Sequence, residues 1–197
     1  MELVLASRNA HKLRELGVLL APHTVVPLPD EAELPPEDGT SFEENAVVKA
    51  RAGARATGRP TLGEDSGIEA MALAGAPGIR SARFAGEGAT DEDNLAKLLA
   101  HVPQRGDRRV AYVCALAFST PDGETECFGG RCEGTLATEP RGAGGFGYDP
   151  AFLPADRDDG RTMAEVSLEE KDLVSHRGQA ARALLAWLEQ TRPEASG

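Results

Sequence analysis

The sequence predicts an α/β fold with a mixed β-sheet flanked by helices, and three observations predict it. A short apolar run from Glu2 to Ala6 leads through a polar turn into Leu13, Leu16 and Leu20 at helical spacing, which is the strand, turn and helix of an α/β unit. From Arg109 to Phe118, Val110, Tyr112, Cys114, Leu116 and Phe118 alternate with Ala111, Val113, Ala115 and Ala117, so both faces are apolar and the strand is central. Thr120-Pro121-Asp122-Gly123 then turns the chain and Glu124 to Leu136 returns as a hairpin partner, which makes the sheet mixed.

A chain of 197 residues, 41% hydrophobic, can build one core of that size, and residues 1–197 are expected to form a single domain with two lobes. With 32 acidic and 21 basic residues the net charge is −11, which argues against nucleic acid as a partner; a polyanionic ligand needs a local cationic pocket or a metal. Cys114, Cys127 and Cys132 are odd in number and lack a C-x-x-C pair, so neither a disulfide framework nor a zinc site is supported, and a reducing cytoplasm suits them. The first residues lack a basic region and a long apolar core, and no run approaches the roughly 20 apolar residues of a membrane span.

In chain order, Ser7-Arg8-Asn9-Ala10-His11-Lys12 follows the first strand. Ser7 and Asn9 are good helix caps, the free N–H groups and dipole of the helix start make an anion site, and Lys12 adds a point charge with Arg8 beside it. An ordinary capped helix with solvated bases is the plain alternative. Residues 22–40, with Pro22, Pro27, Pro29, Pro35 and Pro36, read as an irregular connection with a short strand at Thr24 to Leu28. Ser41-Phe42-Glu43-Glu44 fits a capping box in which Glu44 returns to the Ser41 N–H. Beyond it Phe42, Ala46, Ala50 and Gly53 make a small-residue stripe, while Asn45 and Lys49 form a polar i, i+4 pair suited to phosphate and metal, or to plain surface.

Leu62 to Ile68, Leu-Gly-Glu-Asp-Ser-Gly-Ile, reads as a strand that stops at a tight turn at Gly67. Asp65 and Ser66 then sit at the strand's carboxyl end, where open α/β sheets place ligands. Alternation sends Glu64 and Asp65 to opposite faces, and Asp65 is the one expected in the cleft. A solvated Glu-Asp-Ser-Gly turn is the alternative. Ala74 to Gly78 breaks regular structure, and Thr90 caps a helix whose apolar positions are Leu95, Leu98, Leu99 and Val102.

In Arg141 to Pro150, glycines and an alanine precede Phe146 and Tyr148. That composition suits a loop whose N–H groups approach a flat ligand while Phe146 or Tyr148 stacks on it, against the alternative of a flexible linker. Asp149, directly before a proline, is biased toward an extended conformation that holds its carboxylate. Ser167-Leu168-Glu169-Glu170 opens a short helix containing Lys171, and Ser175-His176-Arg177-Gly178 begins a last helix with the apolar face Ala180, Leu184, Trp187 and Leu188. His176 and Arg177 lie in a first turn, where the dipole disfavours cations, which suggests a nearby anion or an acceptor; two solvated side chains are the plain alternative. The tail from Thr191 to Gly197 is expected to fray.

Three carboxylates (Glu44, Glu64 and Asp65), two phosphate-type turns and a glycine-aromatic loop suggest a nucleotide held in a cleft between two lobes. Hard oxygen donors without a His or Cys cluster favour Mg²⁺ shared with the substrate's phosphates, and a carboxylate that positions or deprotonates water. No serine-histidine or cysteine-histidine motif supports a protein nucleophile.

Ser-Arg-Asn-Ala-His-Lys with Glu15, Ser-Phe-Glu-Glu-Asn-Ala with Lys49-Ala50, Glu-Asp-Ser-Gly-Ile with Gly-Ala-Pro-Gly and Ser-Ala-Arg-Phe-Ala-Gly, Gly-Phe-Gly-Tyr-Asp-Pro-Ala-Phe, and Ser-His-Arg-Gly together resemble the inosine triphosphate pyrophosphatase family. The five blocks stand in family order from residue 4 to about 188. The resemblance implies a homodimeric, Mg²⁺-dependent enzyme with an elongated mixed sheet and two lobes. It would cut the α–β bond of inosine, deoxyinosine or xanthosine triphosphate to monophosphate and pyrophosphate, clearing them from the nucleotide pool.

Carried over by position, Asp65 matches the family's catalytic carboxylate and metal contact, Glu44 a metal-side carboxylate, and Glu64 a secondary metal candidate. Ser7, Arg8, Asn9, Ala10, His11 and Lys12 match the phosphate-binding turn. Lys49, Ser66, Phe146, Gly147, Tyr148, Asp149, Lys171, His176 and Arg177 are the remaining substrate contacts, the later ones around the base. A 6-oxo purine offers an acceptor where adenine offers a donor, so donors from Lys171, His176 or Arg177 would discriminate. Glu64 stands where many members have Asp, Asp172 where Asn is usual, and Arg8 at a variable position. Two rivals are a purine nucleotide-binding module without turnover and a pyrimidine-directed pyrophosphatase of shared architecture.

Overall fold

A computed structural model describes residues 1–191; the tail expected to fray lies, from 192 on, outside the described residues. The first strand, β1 (Glu2–Leu5), pairs in parallel with β2 (Thr24–Pro27) and with β3 (Thr61–Ala70), so that Val4 stands opposite Val26 on one side and Thr61 on the other. With β4 (Arg109–Ser119), β5 (Thr125–Leu136) and β6 (Phe152–Pro154) these form a six-stranded sheet in the order β2-β1-β3-β4-β5-β6. Because β6 runs antiparallel to β5 while β2 and β3 run parallel to β1, the sheet is mixed, as the hairpin at residues 120–123 leads one to expect. The doubly apolar strand is internal, and only Arg109 of β4 is exposed.

Among the described residues five α-helices flank these strands: α1 (Ala10–Leu19), α2 (Phe42–Thr57), α3 (Asp91–His101), α4 (Leu168–Val174) and α5 (His176–Thr191). Their starts follow from local chemistry. Asn9 caps α1, Ser41 caps α2, and full capping boxes, Thr90 with Asp93 and Ser167 with Glu170, open α3 and α4.

The chain divides into two compact units. One holds Met1–Glu64, Ala115–Gly129 and α5 from Arg177 on; the other holds Asp65–Cys114 and Gly130–His176. In the first, the Phe42, Ala46, Ala50 and Gly53 stripe of α2 is buried, and Trp187 of α5 packs against Phe118 and Phe128 at 5.5 and 5.8 Å between ring centroids. Arg8 donates to the carbonyls of Leu28, Pro29, Asp30 and Ala32, which fixes the start of the proline-rich connection. In the second, Ile68, Leu95, Leu98, Val110, Tyr112, Leu136, Tyr148 and Phe152 belong to one core.

Two local expectations are overturned. The strand through Glu64-Asp65-Ser66-Gly67 does not stop there: β3 continues to Ala70, so Asp65 and Ser66 sit in mid-strand, and the chain first takes a left-handed conformation at Ala74 and Gly75. Sheet pairing, a long-range term, overrides the turn preference of the tetrapeptide. Gly67 serves close approach instead, since a Cβ there would collide with the Ser81 hydroxyl and the Gly78 carbonyl. That hydroxyl accepts from the Ile68 N–H at 2.9 Å, tying the strand to the turn that follows it. Likewise Asp149 is not extended but opens a 3-10 turn, Asp149–Ala151, in which Pro150 lacks only an N–H that a first turn does not use.

Candidate active site

Two clusters of buried charge collect most of the residues singled out by the sequence, one in each unit. The first lies at the start of α1. Asn9 Oδ1 accepts from the His11 and Lys12 amides at 2.9 and 3.2 Å, and Ser7 Oγ accepts from the Asn9 N–H at 3.1 Å. The turn is thereby held by its own side chains. Ser7, Arg8, Asn9 and Ala10 line a recess with Leu13 and the segment from Pro27 to Asp30.

Behind this turn runs a chain of four charges. Lys12 Nζ stands 2.5 Å from Glu64 Oε2, and the Arg177 guanidinium meets Glu64 Oε1 through Nη2 at 3.0 Å and Nε at 3.2 Å. A third Arg177 nitrogen, Nη1, donates to Glu15. The Glu64 side chain is 0% exposed and that of Arg177 2%, while Lys12 and Glu15 are 15% and 10% exposed. Two cations and two carboxylates cancel, which is what allows them to be buried. The anion foreseen beside Arg177 is therefore supplied by the protein itself.

Other candidates of this unit have local duties. Lys49 is buried and reaches Glu37 Oε1 at 2.6 Å, and Asn45 Oδ1 accepts from the Gly39 N–H at 2.9 Å, so this helical pair clasps the connection in front of α2. Glu44 is exposed; its carboxylate accepts from the Thr40 N–H at 2.7 Å and the Thr40 hydroxyl at 2.9 Å, which hold its pKa below the usual range. Its main partner is thus Thr40, one residue before Ser41, whose N–H contributes less.

The second cluster surrounds Asp149. Its Oδ1 accepts from the Tyr112 hydroxyl at 3.0 Å, and its Oδ2 accepts from Lys171 Nζ at 2.7 Å and the Phe146 N–H at 2.9 Å. Asp149 and Lys171 are both buried, and the ammonium also stands 5.3 Å from the centroid of the half-buried Phe146 ring. The loop geometry depends on Gly145, at φ 70°, where a Cβ would run into the Asp149 carboxylate. Gly147 donates its N–H to Asp91 Oδ2 at 2.7 Å. His176 is buried with its ring 4.7 Å from that of Tyr112.

Of the two aromatics offered for stacking, Phe146 keeps that capacity. Tyr148 belongs to the core, with its hydroxyl donating to the Ser81 carbonyl at 2.7 Å and its phenol pKa raised by burial. Asp65 is buried on β3 in the same unit, and Ser66 beside it is half-buried. Tyr112 was legible only as a core residue; the one signal for more is that a buried phenol needs an acceptor. Glu15 could be placed beside Lys12 on α1 by i, i+3 spacing, but its partner Arg177 could not.

These arrangements can be set beside known proteins. Residues 3–187 match the model of the Ham1 family. The chain is 46% identical over 195 residues to a dITP/XTP pyrophosphatase of Geobacter sulfurreducens, covering 94% of this chain and 96% of that protein. The structure of the Staphylococcus aureus Ham1 protein superposes with a TM-score of 0.85 at 39% identity, covering 98% of this chain and 100% of that one. The crystal structure of a nucleoside-triphosphatase, dITP/XTP pyrophosphatase, from Mycobacterium abscessus gives 0.74 at 46% identity, covering 94% and 99%. With one family model spanning nearly its whole length and relatives this similar, the chain belongs to the Ham1 family.

Proposed function

We propose that this chain is a Mg²⁺-dependent hydrolase that converts inosine, deoxyinosine and xanthosine triphosphates to the monophosphate and pyrophosphate. The observation that carries the reading is the buried Asp149–Lys171 pair beside the Phe146 ring, in a chain whose relatives are dITP/XTP pyrophosphatases. A fixed ammonium next to an aromatic surface is a donor for the 6-oxo group of a stacked purine. Adenine presents an amino donor at that position, which leaves the ammonium without an acceptor and is penalised.

The capped turn from Ser7 to Lys12 is read as taking the phosphates, with Lys12 as their point charge. Asp65 acts on the water: its carboxylate accepts the proton as the oxygen attacks the α phosphorus, the bond from that phosphorus to the bridging oxygen breaks, and pyrophosphate leaves. Among the described residues no three His, Cys, Asp or Glu side chains form a metal-holding group, so an ion here would rest on one or two carboxylates and the substrate's own phosphates. Asp65 is the first candidate to hold it. Glu64 already has Lys12 and Arg177 on its oxygens, and Glu44 is engaged by Thr40. When bound, Mg²⁺ would neutralise phosphate charge and polarise the phosphoryl oxygen.

We further read residues 1–197 as one functional domain, and the protein as a cytoplasmic homodimer. Sedimentation equilibrium tests the dimer, and no helix among the described residues is long and apolar enough to cross a membrane. The decisive experiment is a panel of inosine, xanthosine, guanosine, adenosine, deoxythymidine and uridine triphosphates with Mg²⁺, scored for pyrophosphate. Turnover of the pyrimidine nucleotides alone, or binding without pyrophosphate, overturns the reading. Asp65→Asn should lower kcat by about 10²–10⁴-fold with substrate binding retained. Unchanged turnover in that variant removes Asp65 from the catalytic role.

A further inference from the structure

One side chain links two of the groups assigned to the base, and its role is not obvious from a position on an apolar strand. Tyr112 of β4 is 6% exposed. Its hydroxyl donates to Asp149 Oδ1 at 3.0 Å, while its ring stacks on Phe152 at 4.3 Å and 24° and on His176 at 4.7 Å and 15°. The same Asp149 holds Lys171 and the backbone of Phe146 through Oδ2. Tyr112 thus touches His176 directly and is one carboxylate away from Lys171 and Phe146.

We infer that Tyr112 is a positioning residue for base recognition, which sets the preference for a 6-oxo over a 6-amino purine by fixing the Asp149 carboxylate and with it the Lys171 ammonium. The inference rests on the reading that Lys171 and His176 face the base. Rotation of a carboxylate about its last bond meets only a broad, shallow barrier. With Oδ2 tied to Lys171 and Phe146 and Oδ1 tied to Tyr112, the group has one orientation. Remove the phenolic O–H and the carboxylate can turn, Lys171 gains freedom to withdraw from an adenine amino group, and the penalty that rejects adenine shrinks.

Tyr112→Phe isolates this, because it keeps both ring contacts and deletes only the donor. Pyrophosphate release from inosine and adenosine triphosphates by wild type and variant, each over a full concentration range, provides the test. The expected result is a KM for inosine triphosphate raised about tenfold, an inosine-to-adenosine preference in kcat/KM reduced about tenfold, and kcat at saturation little changed. A structural role alone would instead lower kcat equally for both nucleotides by reducing the active fraction.

A double-mutant cycle completes the test. If Tyr112 acts through Asp149, then Tyr112→Phe should alter the preference of Asp149→Asn hardly at all; full additivity overturns the inference. An active, inosine-preferring wild type whose Tyr112→Phe variant keeps the same preference overturns this inference alone. A wild type inert toward every 6-oxo purine triphosphate overturns the functional reading, and this inference with it.

Discussion

Replacing Glu64 with Gln keeps the shape of the side chain and removes one charge from the middle of a buried network. The carboxylate is 0% exposed and meets Lys12 at 2.5 Å and Arg177 at 3.0 and 3.2 Å. After the change two cations share the single charge of Glu15, with little water to screen the excess. Removing one partner of a buried ion pair costs about 3–5 kcal/mol. Arg177 retains Glu15 and the Lys12 side chain is 15% exposed, so the low end of that range, about 3 kcal/mol, applies. For a chain of this size each kcal/mol moves the melting temperature by about 2–4 °C, which gives a fall of about 6–12 °C. Thermal melts by circular dichroism at pH 7 measure it. Arg177→Met alone should also destabilise, but the Glu64→Gln, Arg177→Met double variant should be milder than the sum by more than about 1 kcal/mol, because the two charges answer each other. A Glu64→Gln melt within about 2 °C of wild type, or an additive cycle, would refute the coupling.

Gly145→Ala puts a Cβ both at φ 70° and into the Asp149 carboxylate. It should cost about 1–3 kcal/mol for the strained backbone alone and raise the KM for inosine triphosphate, read by a urea melt and steady-state kinetics. The network of Arg157, Asp159, Arg161 and Glu170 predicts an acid-sensitive window. Arg161 and the Ser167 N–H hold Glu170 down to about 2 from its ordinary 4.5, and Arg157 and the Arg161 N–H depress Asp159 below its ordinary range as well. A carboxylate depressed by folding stabilises fully above its unfolded value and loses that contribution as pH falls through its folded one. Urea midpoints should therefore drop between about pH 4.5 and about 2, less steeply in Glu170→Gln. Equal slopes in the two proteins would remove Glu170 from the account.

What could be read from the sequence is what depends on near neighbours. The caps at Asn9, Ser41, Thr90 and Ser167 were visible because a cap is satisfied within three residues, and β4 was visible because its alternation leaves no polar face. Reading Glu-Asp-Ser-Gly as a turn failed because the preference of four residues for a turn competes with pairing to strands distant in sequence, and pairing wins. The extended reading of Asp149 failed similarly, since Tyr112 and Lys171, 37 and 22 residues away, hold its carboxylate while its backbone closes a turn. No local signal announces that Glu64 meets Arg177 across 113 positions. The family resemblance supplied candidate site residues but not their partners.

Those partners matter because of how the cations are kept. In a chain of net charge −11, Lys171 and Arg177 are buried, so neither could stay charged there without a carboxylate at hydrogen-bond distance. Asp149 and Glu64 meet that need, at 2.7 Å from Lys171 and 3.0 Å from Arg177. Deleting either acid therefore removes a stabilising pair and misaims a base in the same stroke, and a loss of activity alone cannot tell the two effects apart. Tyr112→Phe is informative for that reason: it leaves both acids in place, keeps the ring and its stacking, and removes one hydrogen bond, so that stability and KM can move separately.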